Sequence, residues 1–314
     1  MGFDGAEEAA IRAAMFAHLD ALVEQSPDGT LTSAEINTFT FDDRPHPLIV
    51  QQGIWKPAGL AAALTIRTAY PQPDRPPPYE DAIGEDGLLR YKFRGTDPGH
   101  SDNRALRRAM EDRRPLAYFV GVDRGCYLPV HPVWIEAEDR HRLEFSVSLD
   151  EIHRDLLGDV RHDLAHDLAH DLAGVVTRRY AERLTRDRLH QPVFRARVLR
   201  AYRGRCAVCR LRQPRLLDAA HIIPDGRPRG DAVVPNGLAL CKIHHAAYDA
   251  DLMAVRPDLV VEVAPRLLRE HDGPMLLHGL QEMDGRRIDV PTLRRARPDP
   301  ERLEDRYRRF QEVG

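Results

Sequence analysis

The chain has 314 residues, of which 42% are hydrophobic and 30% charged, and its formal net charge is −3. This composition excludes a wholly disordered chain, and the length suggests two domains of about 150 residues each. No apolar run approaches the roughly 20 residues that a membrane-spanning helix needs, and the acidic N-terminus does not resemble a secretory signal, so we expect a cytoplasmic protein without a membrane partner.

The choice of basic residue is strongly biased. Only three of the 46 are lysines (Lys56, Lys92 and Lys242), so 43 are arginines. A GC-rich genome could produce this bias by itself, but arginine is also the cation that best reads phosphate and guanine. Composition alone leaves both interpretations open.

The sequence pattern of residues 1–150 predicts one long helix followed by a mainly antiparallel β domain. Apolar residues recur at three- and four-residue spacing from Ala6 to Gln25, and the segment Thr32–Glu35 is either a second helix start or a turn into a strand. Asn103–Met110 predicts a short helix, Cys126 is expected to be buried on a strand, and the Pro-rich segment Tyr70–Tyr79 predicts a loop. The predicted strands are Pro47–Val50, Leu64–Thr68, Leu88–Phe93, Leu116–Val122, Val133–Ile135 and Leu143–Val147.

Residues 151–192 predict a helical linker that contains a tandem repeat. The sequence His162-Asp163-Leu164-Ala165 occurs three times in succession, which places His, Asp and Leu stripes at four-residue spacing. His residues at this spacing can bind a metal, but the equally regular Leu stripe favours an amphipathic helix. Residues 178–215 then carry 13 arginines against Glu182 and Asp187, a local charge of +11. Such a segment is typical of contact with a phosphate backbone, although a solvated helix face has the same composition.

Three of the four cysteines lie within a window of 40 residues. Cys206 and Cys209 have CxxC spacing, and Cys241 and His244 form a CxxH pair. Two such pairs supply four ligands for a tetrahedral structural Zn²⁺. A disulfide is the weaker interpretation, because thiols stay reduced in the cytosol.

Three further residues in this window are not explained by a structural zinc. His221 follows a short strand-like run, Asn236 opens a second run, and His245 directly follows His244. Adjacent residues on a helix point about 100° apart, so the two histidines can serve different metals. The arrangement, from about Arg203 to Asp251, resembles the HNH endonucleases, whose ββα-metal motif is supplied here by His221, Asn236 and His245.

The resemblance implies a nuclease that depends on a divalent metal. His221 would be the general base, because a neutral histidine is suited to that role near pH 7, and His245 with an acidic residue would hold one Mg²⁺ or Mn²⁺. Many members carry an acidic residue or histidine directly before the base, whereas this chain has Ala220, so we assign the acidic role to Asp218. Asn236 would shape the loop between the two strand-like runs and orient the general base, His221. A zinc-containing module that binds DNA without cutting it is the alternative.

The segments Tyr79–Asp97, Asp102–Leu106 and Pro115–Val122 resemble the SRA and sulfur-binding domains of modification-dependent restriction nucleases, which share a PUA-like curved β-barrel. The resemblance covers about Phe39–Asp150 and implies a reader of modified DNA. SRA domains flip a methylated or hydroxymethylated cytosine into an aromatic pocket, whereas sulfur-binding domains hold a backbone phosphorothioate in a small apolar cup beside cationic groups.

We favour the phosphorothioate reader, because the Pro-rich loop suits an apolar cup and no second aromatic residue is evident for enclosing a flipped base. Sulfur is bulkier and more polarisable than oxygen and is a poorer hydrogen-bond acceptor, which an apolar cup can detect. Trp55 and Tyr91 could equally be barrel core. The residues expected to contact DNA are Trp55, Lys56, Pro57, Tyr70, Pro71, Tyr91, Arg94, Arg195, Arg197 and Arg203.

The predicted fold is therefore α+β. A PUA/SRA-like curved β-barrel with flanking helices occupies residues 1–150, a helical linker follows at 151–192, and a zinc-stapled ββα-metal HNH domain with a C-terminal extension occupies 193–314. The expected partner is double-stranded DNA, and a homodimer is expected because cutting both strands needs two HNH sites. An N-terminal domain that binds a protein or small molecule instead is a further alternative.

Overall fold

The computed structural model describes residues 3–70, 84, 86, 88–149 and 186–313, and the chain divides into two compact units, Met1–Pro192 and Val193–Gly314. The repeat at 162–173 and Pro71 lie outside the described residues. Within the described ranges, no helix has both the length and the apolar character required to cross a membrane. The division into reader, linker and nuclease domain stays a prediction.

The first unit begins with the predicted long helix, α1 (Gly5–Gln25). Asp4 caps it by accepting hydrogen bonds from the backbone of the first turn, and the Glu7 side chain accepts from the Asp4 backbone. The segment Thr32–Glu35, for which the sequence left a helix start or a turn into a strand open, joins a strand to a helix. Strand β1 (Leu31–Thr32) leads directly into helix α2 (Ser33–Ile36), and Thr32 with Glu35 forms a second capping box.

A seven-stranded sheet forms the body of this unit and curls into a half-barrel. The elements after α2 are the hairpin β2 (Thr40–Phe41) and β3 (Arg44–Pro45), then β4 (Ile54–Trp55), β5 (Thr65–Thr68), β6 (Leu89–Lys92), α3 (Ser101–Glu111), β7 (Leu116–Asp123), β8 (Cys126–Asp139) and β9 (Glu144–Ser148). Six strands of the sheet follow the order β4-β5-β7-β8-β9-β6, and β1 also pairs with β8; among the described residues, the pair β5–β7 is parallel and the others are antiparallel. The α+β class is thus confirmed, and the PUA/SRA identity stays a proposal.

Two strand predictions were wrong in detail. Pro47–Val50 is irregular, because side chains satisfy its backbone: the Asn37 amide bonds both the N–H and C=O of Ile49, and the Thr65 hydroxyl donates to the carbonyl of Leu48. Val133–Ile135 does lie in a strand, but it is only the middle of the 14-residue strand β8, which continues through Pro129 and Pro132. Cys126 begins this strand and is buried, as predicted.

The second unit is built around a β-hairpin and the helix that follows it. Strands β10 (Leu217–His221) and β11 (Gly237–Cys241) pair antiparallel from Leu217–Cys241 to His221–Gly237. The other elements are α4 (Gln191–Ala201), which leads into the unit, α5 (Lys242–Asp249), β12 (Met253–Val255), β13 (Val261–Val263), α6 (Pro265–Leu268), α7 (Pro274–Gly279) and α8 (Pro300–Val313).

Gly237 lets helix α4 pack closely on this hairpin. A Cβ atom at this position would lie 2.5 Å from the Val198 side chain and 2.9 Å from the Phe194 ring, so any larger residue would push α4 away. The Phe194 ring can therefore stack on His221, the residue that pairs with Gly237 across the hairpin.

The C-terminal helix α8 anchors the far end of α5. The buried Arg306 guanidinium pairs with Asp251 at 2.9 Å and lies 4.8 Å from the centre of the Tyr248 ring. It also donates to the Tyr248 carbonyl in the last turn of α5. The C-terminal segment therefore covers the helix that carries His244 and His245.

Candidate active site and metal centre

The two predicted ligand pairs converge on one point. The ligand atoms of Cys206, Cys209, Cys241 and His244 all lie within 4.8 Å of one another. The Nδ1 atom of His244 is 3.1 Å from the Cys241 sulfur and 3.4 Å from the Cys206 sulfur, and the sulfurs of Cys209 and Cys241 are 3.9 Å apart. A Cys₃His set of this kind fits a tetrahedral Zn²⁺.

The electrostatics of the cluster favour a cation. Hydrogen bonds with the neighbouring thiols raise the pKa of Cys206. Burial lowers the pKa of His244, but its contacts with Cys209 and Cys241 outweigh burial and raise that pKa to about 9. The raised pKa values show that Cys206 and His244 hold protons when no metal neutralises the sulfurs, and Zn²⁺ would replace those protons.

A carbonyl from helix α7 fixes the orientation of the histidine in this cluster. The Nε2 atom of His244 lies 2.8 Å from the carbonyl oxygen of Gly279, which can accept a hydrogen bond from the Nε2–H group. This hydrogen bond leaves Nδ1 as the metal-facing nitrogen, a common arrangement for a zinc-bound histidine. This contact could not be predicted from residue types, because any residue can supply a backbone carbonyl.

His221 ends strand β10 and stacks against Phe194, with ring centres 4.0 Å apart and planes 19° from parallel. Its Nε2 atom is buried and has no hydrogen-bond partner among the described residues. Burial lowers the pKa of His221; Asp225 and Asp249 oppose this shift, and His245 adds to it. The lowered pKa favours the neutral ring near pH 7, which is the form that a general base requires.

Asn236 ties together the two ends of the loop that joins β10 to β11. Its amide nitrogen donates to the carbonyls of Ile223 and Asp231, at 3.0 and 3.1 Å, and its oxygen accepts from the N–H of Ile223 at 2.9 Å. The side chain is fully buried. These contacts fit the predicted loop-shaping role, because Ile223 is two residues from His221.

We expect Asn236→Ala to lower the melting temperature and to slow cleavage while zinc content stays unchanged. The substitution removes three hydrogen bonds to the partly buried backbone groups of Ile223 and Asp231, each worth about 0.5–1.5 kcal/mol. Thermal unfolding, zinc analysis and a cleavage assay on the same preparation measure the three effects. An unchanged melting temperature would contradict the loop-clamping role.

His245 lies between two carboxylates. Its Nδ1 atom is 3.5 Å from Oδ2 of Asp218, and its Nε2 atom is 3.3 Å from Oδ2 of Asp249. Asp218 and His245 are thus adjacent in space, as the metal assignment requires. The sequence assignment missed Asp249, although its spacing of four residues from His245 on a helix was a usable signal.

Two cations also contact Asp218. Lys242 pairs with Oδ2, and Nε of Arg195 lies 3.4 Å from Oδ1. Burial opposes ionisation of Asp218, but the contacts with Lys242 and His245 outweigh it, so the pKa of Asp218 lies below its ordinary value. Asp218 is therefore a carboxylate at neutral pH, as a metal ligand must be. One or two protein ligands are typical of a Mg²⁺ that also binds substrate phosphate and water.

The predicted DNA-contacting arginines of this unit have different surroundings. Arg195 donates to the carbonyls of Pro214 and Leu217, at 3.0 and 2.9 Å, so it braces the start of β10. Arg197 is half-buried, and Arg203 is exposed. Their contact with DNA stays a prediction, and the part of the basic segment before residue 186 lies outside the described residues.

In the first unit, several predicted DNA-contacting residues have partners within the domain. The buried Tyr91 hydroxyl lies 3.2 Å from the carbonyls of both Gly53 and Arg67, and Lys56 donates to the Leu60 carbonyl at 2.7 Å. Arg94 pairs with Asp102. These contacts favour the structural alternative for Tyr91 that the sequence had left open.

The remaining reader candidates differ in exposure. Trp55 is half-exposed and packs against the core of the first unit, Pro57 is buried, and Tyr70 is half-exposed. Arg67, which was not among the predicted DNA contacts, is half-buried on β5; its guanidinium donates to the Tyr127 hydroxyl at 2.9 Å and to the Gln51 carbonyl at 3.0 Å. A DNA-reading role for Trp55, Pro57 and Tyr70 stays a prediction.

Comparison with known proteins gives two findings. Residues 206–256 match the family model of an HNH endonuclease. A solved structure, described as a modification-dependent TagI restriction endonuclease, is similar to the chain with 19% identity over 82% of this chain and 85% of that chain, at a TM-score of 0.27. No curated protein matches the chain.

Proposed function

We propose that this chain, a nuclease by virtue of the HNH endonuclease domain at residues 206–256, cuts double-stranded DNA in response to a chemical modification, with a backbone phosphorothioate as the preferred signal. The observation that carries the cutting activity is the placement of His221, whose pKa is lowered by burial, on the hairpin that also presents Asp218 to His245. The reader function rests on the resemblance of the N-terminal segments to SRA and sulfur-binding domains.

The chemistry is hydrolysis of a phosphodiester bond. His221 accepts a proton from a water molecule, the water oxygen forms a bond to phosphorus, and the bond from phosphorus to the 3′-oxygen breaks; the 3′-oxygen leaves as an alkoxide and takes up a proton from solvent. His245 and Asp218 would hold a divalent cation such as Mg²⁺ or Mn²⁺, which would neutralise the charge that builds up on the phosphate. Asn236 keeps the loop after His221 in place, and Phe194 fixes the plane of the base. Zn²⁺ would be held by Cys206, Cys209, Cys241 and His244, and it would tie the segment between α4 and β10 to the junction of β11 and α5.

A cleavage assay with the full-length chain tests the cutting activity. Zinc-loaded protein is incubated with duplex DNA that carries a phosphorothioate, with Mn²⁺ or Mg²⁺ added or omitted. Cleavage only with the added cation, leaving 5′-phosphate ends, supports the proposal. Tight binding without cleavage under all these conditions would favour a non-catalytic zinc-containing DNA-binding protein.

We expect the activity to persist at a lower pH than an ordinary histidine base would allow. His221 must be neutral to accept a proton, and burial lowers its pKa, so activity falls only as the pH drops through that lowered value. In a profile of kcat/KM against pH at constant metal concentration, the acid limb should have its midpoint below about 6.5, the unperturbed histidine value. A midpoint above that value would contradict His221 as the base in this environment.

A further inference from the structure

The carboxylate assigned to the catalytic metal is already in contact with a cation from the protein. The oxygen of Asp218 that faces His245 is Oδ2, and the Lys242 ammonium contacts the same oxygen. The other oxygen, Oδ1, faces Arg195. A metal ion bound between Asp218 and His245 would therefore use Oδ2 of Asp218 as a ligand, the same atom that the Lys242 ammonium contacts.

The two side chains that contact Asp218, Arg195 and Lys242, differ in how firmly they are held there. Arg195 also donates to two backbone carbonyls, which fix its guanidinium in place. The Lys242 side chain is 57% exposed, and Asp218 is its only hydrogen-bond or ion-pair partner among the described residues. Lysine carries its ammonium on a flexible stem, so this contact can break without disturbing the fold. Partly exposed ion pairs are also weak.

We propose that Lys242 and the catalytic divalent cation compete for Oδ2 of Asp218, and that the displaced ammonium binds the DNA phosphate. This inference rests on the proposed function, because it takes Asp218 and His245 as metal ligands. In the absence of metal, the lysine neutralises the Asp218 carboxylate. When the metal occupies Oδ2, like-charge repulsion drives the ammonium away from the site, and a nearby phosphate is the group that can neutralise it.

Metal binding without DNA tests the first half of the proposal. Zinc-loaded full-length chain is titrated with Mn²⁺ by calorimetry, using wild type, Lys242→Gln and Asp218→Asn. We expect Lys242→Gln to bind Mn²⁺ roughly five-fold more tightly, the scale of a partly exposed ion pair. We expect Asp218→Asn to bind it more weakly than wild type.

A second lysine offers a matched control. Lys92 pairs with the Glu144 carboxylate in the first unit, where Arg90 also contacts Glu144. Lys92→Gln removes the same kind of ion pair and should leave Mn²⁺ affinity unchanged. If Lys242→Gln also leaves the Mn²⁺ affinity unchanged while Asp218→Asn weakens Mn²⁺ binding, then Lys242 does not compete with the metal, and the assignment of Asp218 as a metal ligand stands. If Asp218→Asn has no effect, the metal assignment in the proposed function fails, and the competition fails with it.

DNA binding tests the second half. In a His221→Ala background with Mn²⁺ present, the logarithm of DNA affinity is measured against the logarithm of salt concentration. Loss of one phosphate contact in Lys242→Gln should reduce the slope by about one, whereas Lys92→Gln should not change it. An unchanged slope in Lys242→Gln would overturn the phosphate contact.

Discussion

Replacement of His221 by alanine is expected to abolish DNA cleavage while zinc content and DNA binding stay at wild-type levels. The substitution removes the proton acceptor, and a general base contributes typically 10²–10⁴-fold to the rate, so we expect a loss of at least about 100-fold. The ring lies outside the Cys₃His cluster and at the end of strand β10, where it stacks against Phe194, so the fold should survive. Single-turnover cleavage, zinc analysis and a DNA-binding assay on one preparation measure the three quantities.

The exposed residue His271 in the same unit offers the matched control. His271→Ala makes the same chemical change away from the hairpin and should cut DNA at the wild-type rate. If His221→Ala retained cleavage within a few-fold of His271→Ala, the base would be a different group.

Replacement of the zinc ligand Cys206 by serine is expected to remove the metal and to destabilise the second unit. Cys206 is fully buried, and a hydroxyl is a much poorer zinc ligand than a thiolate. A structural zinc contributes on the order of 10 kcal/mol in small zinc domains, which is comparable with the whole stability of a typical domain. We therefore expect zinc content near zero and a large fall in the unfolding temperature of the second unit, measured by metal analysis and calorimetry.

The variant Cys126→Ser is the control that distinguishes the effect of losing zinc from the effect of losing a buried thiol. It is buried in the first unit and lies outside the Cys₃His cluster, so Cys126→Ser changes a buried thiol without touching the ligand set. This variant should keep its zinc. Full zinc content in Cys206→Ser would show that the cluster is not the zinc site.

The centre of the second unit was predictable because its signals are local. The pair Cys206 and Cys209 and the pair Cys241 and His244 each span a few residues, and such spacing fixes which ligands can meet a single metal. His221 also lies at the predicted end of a strand. These features depend on short-range geometry, which the sequence encodes directly.

The contacts around Asp218 could not be predicted in the same way. Lys242 reaches Asp218 only because the strands β10 and β11 pair in one register, and Arg195 reaches it only because α4 packs on the hairpin. The role of the Gly279 carbonyl likewise depends on the folded position of α7. In each case the information lies in contacts between elements far apart in the chain.

The first unit shows the same limit in its strands. The predicted strand Val133–Ile135 covers only the middle of β8, which continues through its prolines with three irregularities in its pairing. Tyr91 was assigned to a DNA-binding cup, and its buried hydroxyl lies against the carbonyls of Gly53 and Arg67. An aromatic residue on a strand fits a binding surface and a core equally well until its neighbours are known.

The most direct test of the central claim is a comparison of four otherwise identical duplexes, carrying a phosphorothioate, 5-methylcytosine, 5-hydroxymethylcytosine or no modification. The full-length chain is assayed for binding, and for cleavage with Mn²⁺, on each duplex at one salt concentration. We predict the tightest binding and fastest cleavage on the phosphorothioate duplex. Preference for a modified cytosine would favour an SRA-type reader, and equal binding and cleavage on all four duplexes would contradict a modification-reading nuclease.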